Sequence, residues 1–357
     1  MKILILGGTG AMGIHLVGLL SQHPDLQITV TSRSKREGRR NVFYVQGNGH
    51  DMTFVIPLLE EKFDVIVDFM NYRTEEFRKR YQQLLAACGQ YVYLSSSRVY
   101  ADSNTLITED SPRLLDAVAD AEYIATDEYA LTKARQENLL LDSGKTNWTI
   151  IRPYITYSES RLQLGVLEKE SWLYRALHGR TIVFSKDIAE HLTTLTYGLD
   201  VARGISALIG QEEAKGEVFH ITASYSIRWS DVLDTYLDVL ERKTGRRPNV
   251  LITEASLNLQ YAWGKYQVKY DRLFNRTFDN SKINRFVDTL TFVKPQDGLR
   301  ACLEQFIEHP MFRDINCGVE AKTDCLTGER TALQEIDTLK HKVKYILYRY
   351  IIYRNKK

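Results

Sequence analysis

At 357 residues the chain exceeds one average domain, so one large or two interleaved domains are expected. With 44% apolar and 26% charged residues, and only 7 Pro and 21 Gly, it has the composition of a globular protein, which argues against disorder. The net charge of +2 hides a basic tail: Lys340, Lys342, Lys344, Arg349, Arg354, Lys356 and Lys357 stand in 340–357 with no acid, and removing these seven leaves a body at −5, which makes nucleic-acid binding by the whole surface unexpected.

The first element is an apolar strand over 2–6, Ile3-Leu4-Ile5-Leu6, reached with no basic leader or small-residue cleavage site, so no signal peptide is expected. It runs into Gly7-Gly8-Thr9-Gly10-Ala11-Met12-Gly13 and a helix over 12–22. A strand, a glycine turn and a helix in this order bring backbone N–H groups and a positive helix end to a pyrophosphate, so Gly7, Thr9, Gly10, Ala11, Met12 and Gly13 are candidate cofactor-binding residues. The plainer alternative is a tight turn without a ligand.

A second strand over 27–32 ends at Ser32 and Arg33, where dinucleotide-binding folds place an acid for the adenosine ribose. A hydroxyl and a guanidinium suit a 2′-phosphate, which favours NADP(H) over NAD(H); otherwise Arg33 belongs to a solvated basic loop. Strands at 42–46, 64–68, 90–95 and 147–152 alternate with helical patterns at 52–61, 75–88 and 124–143. A further helix at about 200–209 leads to a seventh strand at 218–221. Such alternation predicts an α/β fold, a Rossmann-type doubly wound parallel sheet. On the fourth helical pattern Tyr129 and Lys133 stand four apart, hence on one face, as an ordinary surface pair also would.

Segments 156–199 and 225–310 break the alternation. They hold a helical run from Trp229 to Lys243, a short strand Val250-Leu251-Ile252 and a helix from Gly298 to Ile307, and read as a smaller, discontinuous substrate domain. The dinucleotide-binding domain is then 1–155 plus about 200–224, and 311–357 is a C-terminal extension. No apolar run approaches the ~20 residues of a membrane span. The cysteines (Cys88, Cys302, Cys317, Cys325) and the eight histidines lack metal-ligand spacing, so no metal is expected and the thiols read as free. In the tail, Val343, Ile346, Leu347, Tyr350 and Ile351 recur at helical spacing among the basic residues. This pattern suits a helix lying in an anionic membrane interface, a helix packed on the body or across a dimer, or, from its β-propensity, a strand.

Taken together, Gly-x-x-Gly-x-x-Gly, then Ser95-Ser96-Ser97-Arg98-Val99-Tyr100, then Tyr129-Ala130-Leu131-Thr132-Lys133 resemble the extended short-chain dehydrogenase/reductases, the NAD-dependent epimerase/dehydratase group. Ile151-Arg152-Pro153, Gly198-Leu199-Asp200-Val201-Ala202 and Phe278-Asp279-Asn280-Ser281-Lys282 extend the resemblance over about 1–308. It implies that Tyr129 is the general acid/base at a sugar hydroxyl or carbonyl. Lys133 would bind the nicotinamide ribose and favour the phenolate, and Ser96 would hydrogen-bond the reacting oxygen. It adds Asn48, Phe69, Met70 and Pro153 to the cofactor-binding set, with a nucleotide-sugar substrate, a homodimer and a cytoplasmic place in polysaccharide biosynthesis, at most peripheral to the inner face of a membrane through 340–357.

Departures are visible too. Asp68-Phe69-Met70-Asn71-Tyr72-Arg73 is closer to an atypical branch that includes chloroplast stem-loop RNA-binding proteins. Arg98 stands where dehydratases and decarboxylases of the family carry an acid, and Asn48 where an adenine-binding Asp is frequent. Tyr154-Ile155-Thr156-Tyr157 replaces the usual Tyr-Gly-Pro. The leading expectation is therefore an NADP(H)-dependent epimerase or reductase of a nucleotide-linked sugar. The alternatives are a dinucleotide-binding regulatory or RNA-binding module and a reductase of a non-sugar carbonyl.

Overall fold

The computed structural model describes residues 1–259 and 264–353; Arg354, Lys356 and Lys357 of the basic tail lie outside them. The described residues form two compact units, one of 1–158, 194–226 and 277–295, the other of 159–193, 227–276 and 296–357.

The first unit is built on a seven-stranded parallel sheet: β1 (Lys2–Leu6), β2 (Gln27–Ser32), β3 (Val42–Gln46), β4 (Phe63–Asp68), β5 (Cys88–Leu94), β6 (Trp148–Pro153) and β7 (Glu217–Ile221), in spatial order β7-β6-β5-β4-β1-β2-β3. The continuous apolar runs read from the sequence are what a sheet covered on both faces needs. Ile3 and Ile5 of β1 face one core with Leu16, Val17 and Leu20 of α1 (Gly13–Leu20), while Leu4 and Leu6 face another with Val55 and Leu59 of α2 (Met52–Leu59) and Leu140 of α3 (Tyr129–Leu141). Strand order reverses at β1, which pairs with β2 on one side and β4 on the other. Ligands of doubly wound sheets bind at the strand ends beside such a switch point.

Two helical patterns are shorter than their periodicity suggests. The 75–88 stretch divides into helices Thr74–Arg78 and Tyr81–Ala86, and β5 already starts at Cys88. At the break Arg80 is buried and donates to the carbonyls of Gly49 and His50 at 2.9 and 2.8 Å. The 124–143 stretch becomes α3 only at Tyr129, because Glu128 caps it by accepting from the Ala130 N–H at 2.8 Å. Residues 277–295, grouped from sequence with the substrate domain, belong to the first unit: Ile283 and Phe292 complete the core beneath α1 and Asp200 accepts from the Val293 N–H at 2.8 Å.

The second unit contains α4 (Lys169–Leu177), α6 (Trp229–Thr244), α7 (Pro295–Glu308), α8 (Cys317–Thr327) and α9 (Leu339–Leu347), and a parallel pair, Ile182–Ser185 with Val250–Thr253; α5 (Gly198–Leu208) belongs to the first unit. Trp172 of α4 stacks on Tyr236 of α6 with ring centroids 4.5 Å apart. Arg175, fully buried, is held by Glu320 at 2.6 Å, Asp324 at 2.7 Å and Glu329 at 2.7 Å. The tail is helical through 339–352, with a wider turn over Tyr348–Ile352, and no strand forms there. Among the described residues no helix is long and apolar enough to cross a membrane.

Candidate active site

The glycine turn follows β1 directly. Gly7 has φ +69°, a left-handed conformation natural to glycine, and its N–H donates to Thr31 Oγ1 at 3.0 Å. A Cβ on Gly13 would stand 2.6 Å from the Gly8 backbone, so the turn closes tightly onto α1 only with glycine there. At Gly10, by contrast, a Cβ would meet nothing within 4 Å. The turn is thus packed beneath and open at its crest; among the first N–H groups of α1, that of Ile14 donates back to the Gly10 carbonyl at 3.1 Å. A dinucleotide pyrophosphate fits that cradle.

The other candidate residues stand at neighbouring strand ends. Ser32, buried at the end of β2, accepts from the Ser34 N–H at 3.3 Å, and Arg33 beyond it is exposed. Asn48 is exposed after β3 and turns its Oδ1 to the His50 N–H at 3.1 Å. Phe69 and Met70 follow β4: the Phe69 N–H donates to Leu6 at 3.0 Å, and the Met70 sulfur lies against Gly7 and Gly49. Pro153 ends β6 opposite Ile221.

After β5 the structure separates three serines that the sequence leaves equivalent. Ser95 donates to Glu137 at 2.5 Å and Ser97 donates to the Arg152 carbonyl at 2.7 Å, so both tie the sheet to its surroundings. Ser96 only accepts, from the Arg98 N–H at 3.2 Å, which leaves its O–H as a donor for a ligand oxygen.

Tyr129 opens α3, its ring 36% exposed, while one turn further Lys133 is 2% exposed. The Lys133 ammonium donates to the Leu94 carbonyl at 2.7 Å and lies 4.8 Å from the Tyr93 ring centroid and 6.0 Å from that of Tyr129. Burial pushes the Lys133 amine down to about 8, against the pull of Asp68 and Glu137. Arg98 places its guanidinium 5.4 Å from the Tyr129 ring and pairs with Glu128 at 2.7 Å. Arg98 is therefore a second cation beside the tyrosine.

Two buried polar networks support this arrangement and were missed from sequence. Asp68 accepts from Tyr91 at 2.8 Å, Tyr72 at 3.1 Å and the Met70 N–H at 2.9 Å, fixing the loop after β4; burial holds its carboxyl above the usual range. Glu137 receives both arms of Arg152 at 2.8 Å and one of Arg113 at 3.2 Å. Burial alone would raise Glu137, but Arg152, Ser95 and Arg113 outweigh it and hold the carboxyl below its ordinary value. Beyond them Tyr100 meets His220 Nδ1 at 3.3 Å, with His220 Nε2 on the Asp279 carbonyl at 2.7 Å and burial pushing the imidazole down to about 4. One signal was available: Gln136 and Glu137 are seven and eight residues after Tyr129, on the same helical face. Among the described residues no cluster of His, Cys, Asp and Glu could hold a metal ion.

With this geometry in view, residues 3–222 match the model of the NAD dependent epimerase/dehydratase family. The chain belongs to that family. The expected family and the doubly wound parallel fold are thus borne out. A curated relative, the chloroplast stem-loop binding protein of 41 kDa b of Arabidopsis thaliana, is 27% identical over 238 aligned positions, with 62% of this chain covered. The match spans 58% of that relative's length. UDP-glucuronic acid 4-epimerase of Bacillus cereus, solved with UDP-glucuronic acid and NAD, superposes with a TM-score of 0.64 at 19% identity, covering 86% of this chain and 99% of its own. WbmH of Bordetella bronchiseptica, solved with NAD+, gives a TM-score of 0.65 at 15% identity, covering 87% and 99%. At these identities the two structures speak for the fold of the family.

Proposed function

We propose that the chain is an NADP(H)-dependent epimerase or reductase of a nucleotide-linked sugar, with Tyr129 as its general acid/base. The observation that carries this reading is Tyr129, part-exposed at the start of α3 and flanked by Lys133 and Arg98, in the same unit as a glycine turn open at its crest. Gly10, Ala11, Met12 and Gly13 would hold the dinucleotide, which supplies the hydride acceptor and donor when bound. The Ser96 hydroxyl steadies the substrate oxygen, and Tyr129 takes that oxygen's proton as the phenolate or returns it as the hydroxyl. Lys133 and Arg98 place two cations beside the Tyr129 ring. Ser32 and Arg33 supply a hydroxyl and a guanidinium for a 2′-phosphate. A nucleotide sugar as substrate accords with the UDP-glucuronic acid bound by the Bacillus cereus epimerase.

The test is Tyr129→Phe, which keeps the ring and removes the hydroxyl. Turnover of a nucleotide-sugar panel is expected to fall by about 10²–10⁴-fold, while dinucleotide binding followed by fluorescence stays unchanged. Near-normal turnover would sink the assignment.

A second reading has an observation of its own. The curated relative is named for stem-loop binding, and Arg33, Lys35, Arg36, Arg39 and Arg40 are exposed together in one loop. As an RNA-binding module of this fold, the chain would bind a stem-loop with a steep salt dependence that falls when these five are changed to Gln. Titration without such dependence favours the enzyme reading.

A further inference from the structure

Helix α9 and the turn after it have two unlike sides. One side is inward: Tyr345 is fully buried with Cys317, Ala321 and Ile336, its hydroxyl donates to Asp324 at 2.6 Å, and it accepts from the Thr331 N–H at 3.1 Å. Arg349 adds a hydrogen bond to the Glu329 carbonyl at 3.0 Å. The helix is thereby fixed to α8 by its inner face alone. The other side carries Leu339, Val343, Ile346, Leu347, Tyr350 and Ile351, all exposed, between 42% and 77%. Over α9, at 3.6 residues per turn, Leu339, Val343, Ile346 and Leu347 fall in one stripe, with Lys340 and Lys344 along one flank and Lys342 along the other, and the exposed Tyr350 and Ile351 follow in the wider turn. No Asp or Glu occurs from Thr338 to the end of the sequence, and Arg354, Lys356 and Lys357 add three further cations there.

An outward apolar stripe bordered only by cations has a defined complement. We propose that this face docks on an anionic lipid surface, the apolar side chains entering the acyl boundary and the lysines meeting headgroup phosphates. The charges choose between occupants. A second copy facing this helix would bring like cations together with no carboxylate in the segment to separate them, whereas an anionic bilayer neutralises all of them. Because Tyr345 secures the opposite face, the stripe is presented without unfolding the second unit. The proposal goes beyond the catalytic reading and stands independently of it.

The experiment is co-sedimentation of the full chain with vesicles of equal parts phosphatidylglycerol and phosphatidylcholine, against vesicles of phosphatidylcholine alone. The chain is expected to pellet with the anionic vesicles and to be released by raised salt. Removing Lys340, Lys342 or Lys344 as Gln should lower the partition roughly fivefold each. The triple change Val343→Ser, Ile346→Ser and Ile351→Ser should abolish it. These side chains are exposed, so an unchanged near-ultraviolet circular dichroism spectrum shows that the fold survives. Equal recovery with both vesicle types overturns the proposal, as does a dimer that forms without lipid and dissociates in the triple variant.

Discussion

A single burial decides the acid–base behaviour of the site. Lys133 titrates near 8 instead of its ordinary value of 10.5 because its ammonium is almost wholly removed from water. In the role proposed for it, its cation beside Tyr129 is full well below pH 8, halved at about pH 8 and lost above it. The free-enzyme profile, kcat/KM against pH, should fall as pH rises through about 8; a flat profile to pH 10 would show that Lys133 keeps its charge. The stability consequence has the opposite sense. The unfolded chain binds this proton more tightly than the folded one, so the group disfavours folding most fully below about pH 8 and is relieved as pH climbs toward 10.5. Lys133→Met is then expected to abolish activity yet raise the unfolding free energy from urea titration at pH 7, by on the order of 1–3 kcal/mol. A site that stores such a cost is one held for chemistry.

Among the elements, β2 and α3 carry separable roles. The end of β2 presents Ser32 and the exposed Arg33, so Ser32→Asp with Arg33→Ala should weaken NADP(H) and strengthen NAD(H). Charge-assisted hydrogen bonds of about 1.5–3 kcal/mol each set the scale, and calorimetric titration of both dinucleotides reads it. An unchanged ratio would show that the 2′-position is recognised elsewhere. For α3, Glu137→Gln leaves Arg152 buried without its countercharge and should cost roughly 3–5 kcal/mol by urea denaturation at pH 7. With its carboxyl held below the ordinary value, Glu137 contributes stability at neutral pH that disappears as pH falls through its folded pKa, so the wild-type advantage over the variant should vanish in acid. The strands carrying these residues were readable because their apolar runs are continuous and lie between turn residues. The shape of the 75–88 region was not, since Arg80 interrupts it by reaching Gly49 and His50, and periodicity contains no trace of such distant carbonyls. Tyr129, Lys133 and the glycines were legible as motifs. Asp68 and Arg152 were not, because a buried charge is recognised only through its partners.

For the molecule as a whole, the C-terminal extension is part of the second unit rather than an appendage, because Arg175 of α4 is wrapped by Glu320, Asp324 and Glu329. Arg175→Met would leave Glu320 and Asp324 buried together without their shared cation. Destabilisation should be large at pH 8 and shrink toward pH 5.5 as the carboxylates take up protons, a trend that paired urea titrations measure. Equal loss at both values would mean that packing, not charge, is what Arg175 contributes.

The same cluster bears on how the protein is made. Glu320 lies 145 residues after the arginine it neutralises. At a ribosomal pace of about 5–20 residues per second, Arg175 emerges roughly 7–30 s before its first acidic partner. For that interval the nascent second unit has an arginine site and no acid to close it, so its final packing waits until Glu320, Asp324 and Glu329 have been made.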